Sequence, residues 1–562
     1  MKSFVGKITQ KPIYLLLAVN LLIGVFVFRS YGLSWDEPLF YDYADALGYA
    51  YSPREWFSGN FDLENSYGPS AEDHKTRGPA YLFLARNFVY GLEDLGSDRA
   101  SAWHLVNFIF FQLGVYFFYR LCARWMKPSA ATAATAFFSY QPLLWGHAFI
   151  NPKDPPFLTF FLASVCLGFE LVDEIEAGTK ANFWKIFTAA FCLGIATSIR
   201  VLGPLAGLIV LGYAGYIVFA RRGLKSAATS TKSAQADSRP RQIYFRTFAI
   251  YIAIAIGVML ITWPYLWENP IARLFGTLKF MSDNPTQLAV LFNGEIFRAN
   301  DMPHRYLPFM LWSTLTEPTW ILFGLGIFFG FRKFKSNSKE FASLALTLSW
   351  FILLVAYVLI LRPAVYDGLR HFLFILPPVF IFTGFAFEWM FEKLTNATTR
   401  PTSRSISMAN QGFFASLRMT FIWLRAGLVL LILLPGVSGI IQLHPYEYAY
   451  YNSFVGGTGG VFRNYETEYW LTCYKEAMQT LDARLSQPAN VFVLREAYIA
   501  EYYSGSNTLV RDLRNARNDV KPGDYVLVNT RANDDRSVFR DAPPVLQIGR
   551  EGAIFCEVKQ IP

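Results

Sequence analysis

The chain has 562 residues, of which 53% are hydrophobic and 17% aromatic. Only 17% are charged, against roughly 25% in soluble domains. That excludes a globular enzyme on a single anchor and predicts many membrane spans. The net charge of +9 falls mostly in short loops between apolar runs, where it sets orientation, so no nucleic-acid partner is predicted.

Lys2, Lys7 and Lys11 precede an apolar run from Ile13 to Phe28. Arg29 and Ser30 follow, with no small-residue cleavage site, which predicts an uncleaved first span. Apolar runs near the roughly 20 residues a bilayer needs lie at 12–29, 104–121, 130–148, 156–172, 184–200, 203–220, 247–265, 308–331, 343–361, 371–389 and 426–443. The expected fold is an all-α polytopic membrane protein of about eleven transmembrane helices. Residues 79–92 are apolar but run into Glu93 and Asp94, and are expected to form a re-entrant or interfacial helix. Cys122 is placed in a loop, and Cys166 and Cys192 in apolar segments.

Charge orients these spans. Loop 221–246 carries Arg221, Arg222, Lys225, Lys232, Arg239, Arg241 and Arg246 against Asp237 alone. Loops 332–340 and 390–425 are also basic. The first large loop is acidic, with Asp42, Asp45, Asp62, Glu64, Glu72 and Asp73. This positive-inside pattern makes the N-terminus cytoplasmic and the acidic loop external. Loops 31–103, 149–156, 266–307 and 362–370 then share the external face. Segments 226–238 and 395–407 read as polar linkers.

Residues 1–443 form the expected transmembrane domain, and 444–562 a small external α/β domain. In the latter, Tyr474–Leu485 reads as an amphipathic helix and Asn490–Leu494 and Asp524–Asn529 as strands. Val545–Ile548 with Ile554–Val558 reads as an edge hairpin. Cys473 and Cys556 could pair or stay as buried thiols. The aromatic run Tyr446–Tyr451 reads as an interfacial belt, and His147 as a packed residue.

Four external stretches concentrate charge. They are Trp35-Asp36-Glu37-Pro38, Glu72-Asp73-His74-Lys75-Thr76-Arg77, Asn151-Pro152-Lys153-Asp154-Pro155-Pro156 and Tyr366-Asp367-Gly368-Leu369-Arg370-His371. Arg200, at the external end of the fifth run, is a further point. Bundled spans would bring these together in one external cavity. Ionisable groups at the bilayer edge usually have a partner or a task. Such a set suits sugar transfer from a phosphate-linked lipid. A carboxylate can take the acceptor proton, and fixed guanidinium charges can hold the leaving phosphate. Bland readings stand beside this one. Asp36 could be a solvated loop acid, Asn151–Pro156 a tight turn, and Arg200 and Arg370 could snorkel.

At these residues the chain resembles the C-type superfamily of membrane glycosyltransferases. The group holding protein O-mannosyltransferases and the aminoarabinose transferases of lipid A is the most similar. The resemblance covers roughly the first 390 residues in architecture. It implies that Asp36, with Glu37 beside it, matches the family's catalytic acidic pair after the first span, and that Asp154 matches its second acidic residue. Asp73-His74-Lys75 resembles a charged segment late in the first loop. Arg370-His371, before Phe-Leu-Phe-Ile-Leu-Pro-Pro, resembles the phosphate-side cation. His444–Asn452 and Tyr465–Trp470 look like uncharacterised bacterial members.

The expectation is an inverting glycosyltransferase at the external face of a plasma (inner) membrane. It would move a sugar from a polyprenyl-phosphate donor to a hydroxyl of a lipid, glycan or protein acceptor. Asp36 is the expected base, with Glu37 as substitute and Asp154 positioning the acceptor or a metal. Arg370, Arg200 and Lys75 would hold the donor phosphate; Asp73, His74, Lys153 and His371 would position sugar or acceptor. A divalent metal ion on Asp36, Asp154 and His74 is left open as a cofactor. The alternatives are a diphosphate-lipid-dependent envelope polysaccharide ligase or polymerase, and a non-enzymatic transporter or scaffold. Against a transporter, no pair of Gly/Pro-broken spans recurs in corresponding halves.

Overall fold

The computed structural model describes residues 12–69, 75–178, 182–226, 238–283, 288–398 and 411–562. Asp73, His74 and most of both polar linkers lie outside them. Each apolar run of the sequence falls on a helix or a helix pair. Among the described residues, five helices are long and apolar enough to cross a bilayer: Arg99–Ala123, Asp154–Glu176, Gln242–Thr262, Ser338–Leu361 and Phe421–Leu443. Pro12–Val27, Phe183–Ile199 and Pro204–Ala220 are apolar but shorter. The bundle's outer face exposes Phe26, Ile261, Leu353, Ile360, Leu431 and Ile441. So much uncovered apolar surface is stable only against lipid. Helix Asp154–Glu176 runs through the middle, 89% buried.

Two expected spans are broken. The run at 130–148 is two helices, Pro128–Ser139 and Pro142–Ile150. The run at 308–331 is Tyr306–Thr314 and Pro318–Lys333, bent by 99°. Pro142 and Pro318 lack the N–H that a continuous helix needs, and each opens the second piece instead. The breaks support one another. Gln141 donates to Thr316 Oγ1 at 3.0 Å and accepts the Thr316 N–H at 3.1 Å. Cys122 also departs from its expected loop. Helix Arg99–Ala123 continues past it because Arg120 and Arg124 pair with Glu170 and Asp173 of the central helix.

The C-terminal segment carries a five-stranded sheet. Its strands follow a short hairpin of β1 (Ala289–Phe292) and β2 (Glu295–Arg298), which the sequence reading missed. They are β3 (Ala489–Val493), β4 (Thr508–Asp512), β5 (Tyr525–Asn529), β6 (Pro544–Arg550) and β7 (Ala553–Gln560), in the order β4-β3-β5-β7-β6. β3 pairs in parallel with β4 and β5, while β7 runs antiparallel to β5 and β6. The expected helix (Tyr474–Arg484), two strands and edge hairpin are all present; β4 and the short helices Gly457–Val461, Ala497–Tyr502 and Leu513–Ala516 were not expected.

Residues 446–471 do not join this sheet but run back into the bundle. Tyr446, Tyr448, Tyr450 and Tyr451 are buried, which corrects their reading as an interfacial belt. Their hydroxyls are satisfied inside: Tyr448 by Glu468 and Thr472, Tyr451 by the Glu466 carbonyl. His147, buried, meets the Tyr469 hydroxyl at 3.2 Å. Cys473 and Cys556 form a disulfide, joining this strip to β7.

Candidate active site

The Trp35–Pro38 turn is closed by a bond between the Glu37 side chain and the backbone ahead of it. Glu37 Oε2 accepts the Ser34 N–H at 2.7 Å, three residues back. Glu37 also accepts from the Tyr41 hydroxyl at 2.8 Å and sits 3.2 Å from His104 Nε2. It is fully buried. Glu37 shapes the turn, and its oxygens are taken by the Ser34 N–H, the Tyr41 hydroxyl and His104.

Asp36 caps helix Glu37–Ala50 but makes no side-chain capping bond. An N-cap Asp normally accepts from the first turn's N–H groups. Here the carboxylate turns to Arg370 instead, at 3.0 Å. The second fork nitrogen of Arg370 meets Asp367 at 2.8 Å. The guanidinium lies 4.4 Å from the Trp470 ring centroid. Asp367 and Gly368 both have positive φ, +54° and +64°. Asp tolerates this left-handed region better than most residues, and the bend presents Asp367 to Arg370 three residues on.

A second ion pair lies alongside. Asn151 Oδ1 accepts the Lys153 and Asp154 N–H groups at 3.1 and 2.9 Å, and its amide donates to Asp154 at 2.8 Å. This turn fixes Asp154 at the start of the central helix, where it pairs with Arg200. Arg77 joins the group through a close approach. A Cβ on Gly78 would sit 1.3 Å from the Ser198 carbonyl oxygen, so only glycine lets this strand of loop lie against the end of helix Phe183–Ile199.

The charges act on one another. Burial alone would raise the Asp36 carboxyl, but Arg370, Arg77 and Lys153 outweigh it and hold it below its ordinary value. Burial, with Arg200 and Arg77 nearby, pulls Lys153 well below its ordinary range. Burial and the same cations, led by Arg370, keep His371 well below 6.5 and hence neutral. Asp367 and Asp36 overcome the cost of burying Arg370 and strengthen its charge. The cluster therefore sets Arg77, Arg200 and Arg370 against Asp36, Asp154 and Asp367, with Lys153 driven toward its neutral form by burial and by the neighbouring cations.

Of the expected residues, Asp36, Lys153, Asp154, Arg200, Arg370 and His371 are brought together. Lys75 is placed elsewhere: it pairs with Glu64 at 3.8 Å, and its carbonyl accepts from Trp263. Asp73 and His74 lie outside the described residues. Among the described residues no group of three His, Cys, Asp or Glu could hold a metal ion, and Asp36 and Asp154 are each engaged by an arginine. The third expected ligand, His74, lies outside the described residues.

Sequence reasoning missed Arg77, Asp367 and the whole contribution of the C-terminal segment. Arg531 donates to Asp367 at 2.7 Å, so Asp36, Arg370, Asp367 and Arg531 form an alternating row. Trp470 accepts the Trp35 N–H at 3.0 Å, Tyr498 donates to the Trp35 carbonyl at 2.7 Å, and Tyr503 accepts the Leu33 N–H at 2.9 Å. A Cβ on Gly32 would meet the Thr472 carbonyl oxygen at 2.2 Å. The turn bearing Asp36 is thus gripped from the C-terminal side. Asp367 and Arg370 were only three residues apart, a legible signal; Arg531 had none.

Behind Arg531 lies Glu466, buried and 3.8 Å from its Nε. Burial and the charge of Asp367 push its carboxyl up to about 8, against the pull of Arg531. A carboxyl raised from 4.5 to about 8 favours the folded state when protonated. That stability is full below pH 4.5 and is lost as pH rises through about 8. Glu466→Gln is expected to remove this dependence: wild type should lose thermal stability from neutral to mildly alkaline pH, and the variant should lose less. Parallel melting curves of the two proteins would contradict the assignment.

No family model matches the chain, and no curated protein matches it in sequence. Solved structures align with it at low identity. AglB, an archaeal oligosaccharyltransferase from Archaeoglobus fulgidus in complex with an inhibitory peptide and a dolichol-phosphate, is 12% identical, with a TM-score of 0.49 over 93% of this chain and 70% of its own. The Archaeoglobus fulgidus oligosaccharyltransferase in its apo form gives 12% identity and a TM-score of 0.48, over 92% and 69%. The form tethered to an acceptor peptide gives 12% and 0.43, over the same shares.

Proposed function

We propose that this protein is an inverting glycosyltransferase that uses a polyprenyl-phosphate sugar and a hydroxyl acceptor. The carrying observation is the cluster itself: Asp36, held by Arg370, stands among Arg77, Arg200 and Lys153, whose amine an arriving anion would help to keep charged. A phosphate is the group that would balance that charge. In the proposed step the acceptor oxygen bonds to the anomeric carbon from the face opposite the phosphate. The bond from that carbon to the phosphate oxygen breaks, and the phosphate leaves with the electron pair. The acceptor proton passes to Asp36. Cations stabilise the leaving phosphate, so no general acid is required. Glycosyl transfer has an oxocarbenium-like transition state, so the acceptor is deprotonated late. A carboxylate held at low pKa then suffices as the base.

Asp154, fixed by Asn151 and Arg200, would position the acceptor, and neutral His371 can donate or accept a hydrogen bond to the sugar. We read residues 1–443 as the catalytic membrane unit, of about eleven crossings once short and broken helices are included. Residues 444–562 form its external domain, in a plasma membrane with the N-terminus cytoplasmic.

The test is a donor panel given to purified protein: polyprenyl-monophosphate sugars beside the matching diphosphates. Release of polyprenyl phosphate with inverted product supports the reading. Consumption of diphosphates alone replaces it with a ligase or polymerase, and consumption of neither, by folded protein, overturns it.

A further inference from the structure

A second cationic site lies at the same end of the bundle, apart from the Asp36 cluster. A cavity of about 770 Å³ opens between the ends of helices Pro12–Val27 and Gln411–Leu443 and the flank of helix Tyr474–Arg484. Its chemistry is set by Arg29, His444, Lys475, Glu476, Arg484 and Arg550. Four of these are cations and one is a carboxylate. Glu476 is matched by Arg550 at 2.9 Å. Lys475 donates to the carbonyls of Arg29 and Tyr31, and Arg484 to that of Val545. Carbonyl oxygens satisfy these donors without cancelling their charge. Asp98 bears on Lys475 from behind.

The position of the cavity names its occupant. Arg29 stands just past a helix that exposes Leu22, Val25 and Phe26; His444 follows one that exposes Leu434 and Ile441. Apolar faces that only lipid covers therefore lead up to a polar, positively charged chamber. An amphiphile with an anionic head and acyl chains fits both parts at once. We propose that this cavity binds the phosphate headgroup of an anionic phospholipid of the surrounding leaflet. The lipid would bridge the membrane helices, through Arg29, to the C-terminal domain, through Lys475, Arg484 and Arg550.

The test uses full-length protein in neutral detergent with fluorescent phosphatidylglycerol as probe, competed by phosphatidylcholine or by inorganic phosphate at matched ionic strength. Wild type should bind phosphatidylglycerol in preference to phosphatidylcholine. Arg29→Gln/Arg484→Gln, outside the catalytic cluster, should weaken it by about tenfold or more. Arg29→Gln alone serves if the double variant does not fold. Equal affinity for the two lipids, or unchanged affinity in the folded variant, overturns the proposal. Displacement by inorganic phosphate as efficient as by lipid also overturns it, since the site would then take a free anion.

Discussion

Arg370→Gln is expected to reduce sugar transfer by about 10³-fold, in line with losing a main electrostatic contact to developing charge. Arg370 meets Asp36 and Asp367 with separate nitrogens and lies over Trp470. Removing it leaves the buried Asp367 to Arg531 alone, and breaking such a buried pair costs about 3–5 kcal/mol. Activity and stability should therefore fall together. Arg370→Lys separates them: it keeps the charge but cannot meet two carboxylates with a rigid fork, so the fold should recover more than turnover does. A pH profile adds a signature. Arg370 is the chief group holding the Asp36 carboxyl down against burial. Without it that carboxyl rises, so residual activity should fail at a higher pH on the acid side. A variant whose acid limb stays where wild type has it would show that Asp36 is not the titrating base.

The second large effect is expected from a residue far along the chain. Arg531→Met would strand the buried Asp367 carboxylate and take away the cation that draws the Glu466 carboxyl down. It also removes the cation 5.3 Å from the Trp35 ring centroid, beside Asp36. Folding stability should drop by about 3–5 kcal/mol. Turnover should fall by roughly 10–100-fold, through loss of position rather than of a reacting group, with the donor's KM changing less than kcat. Adding Glu466→Gln removes a carboxyl on which both Arg531 and Asp367 act, so the two losses should not add. Additive losses in that cycle would contradict the shared network.

These two residues show what the sequence could and could not reveal. Asp36, Asp154, Arg200 and Arg370 were legible because a charge where an apolar run ends has few cheap explanations. Helices were legible for the same reason, as unbroken apolar runs. Their breaks were not: hydropathy stays high across Gln141 and Thr316, and only the prolines after them hinted at a turn. The grip of the C-terminal segment was invisible. Arg531 reaches Asp367 across 164 positions, and no local pattern encodes such a pairing. Glu37 misled because adjacent acids look equivalent in sequence. In space one faces Arg370, while the other is buried against Tyr41 and His104. Tyr446–Tyr451 misled because aromatic residues near a span suit both a lipid interface and a packed core, and Glu468 and His147 decide for the core here.

The central claim is that Asp36 is the base of a transfer reaction. Its most direct test is turnover of a labelled polyprenyl-phosphate sugar by wild type and Asp36→Asn, with melting temperatures measured on the same samples. Asn keeps the shape and a hydrogen-bond acceptor for Arg370 but cannot take the acceptor proton. The account expects transfer to fall by at least about 10²-fold, within the usual reach of general-base catalysis, while the melting temperature stays close to wild type. Transfer retained by the folded Asp36→Asn protein would contradict it.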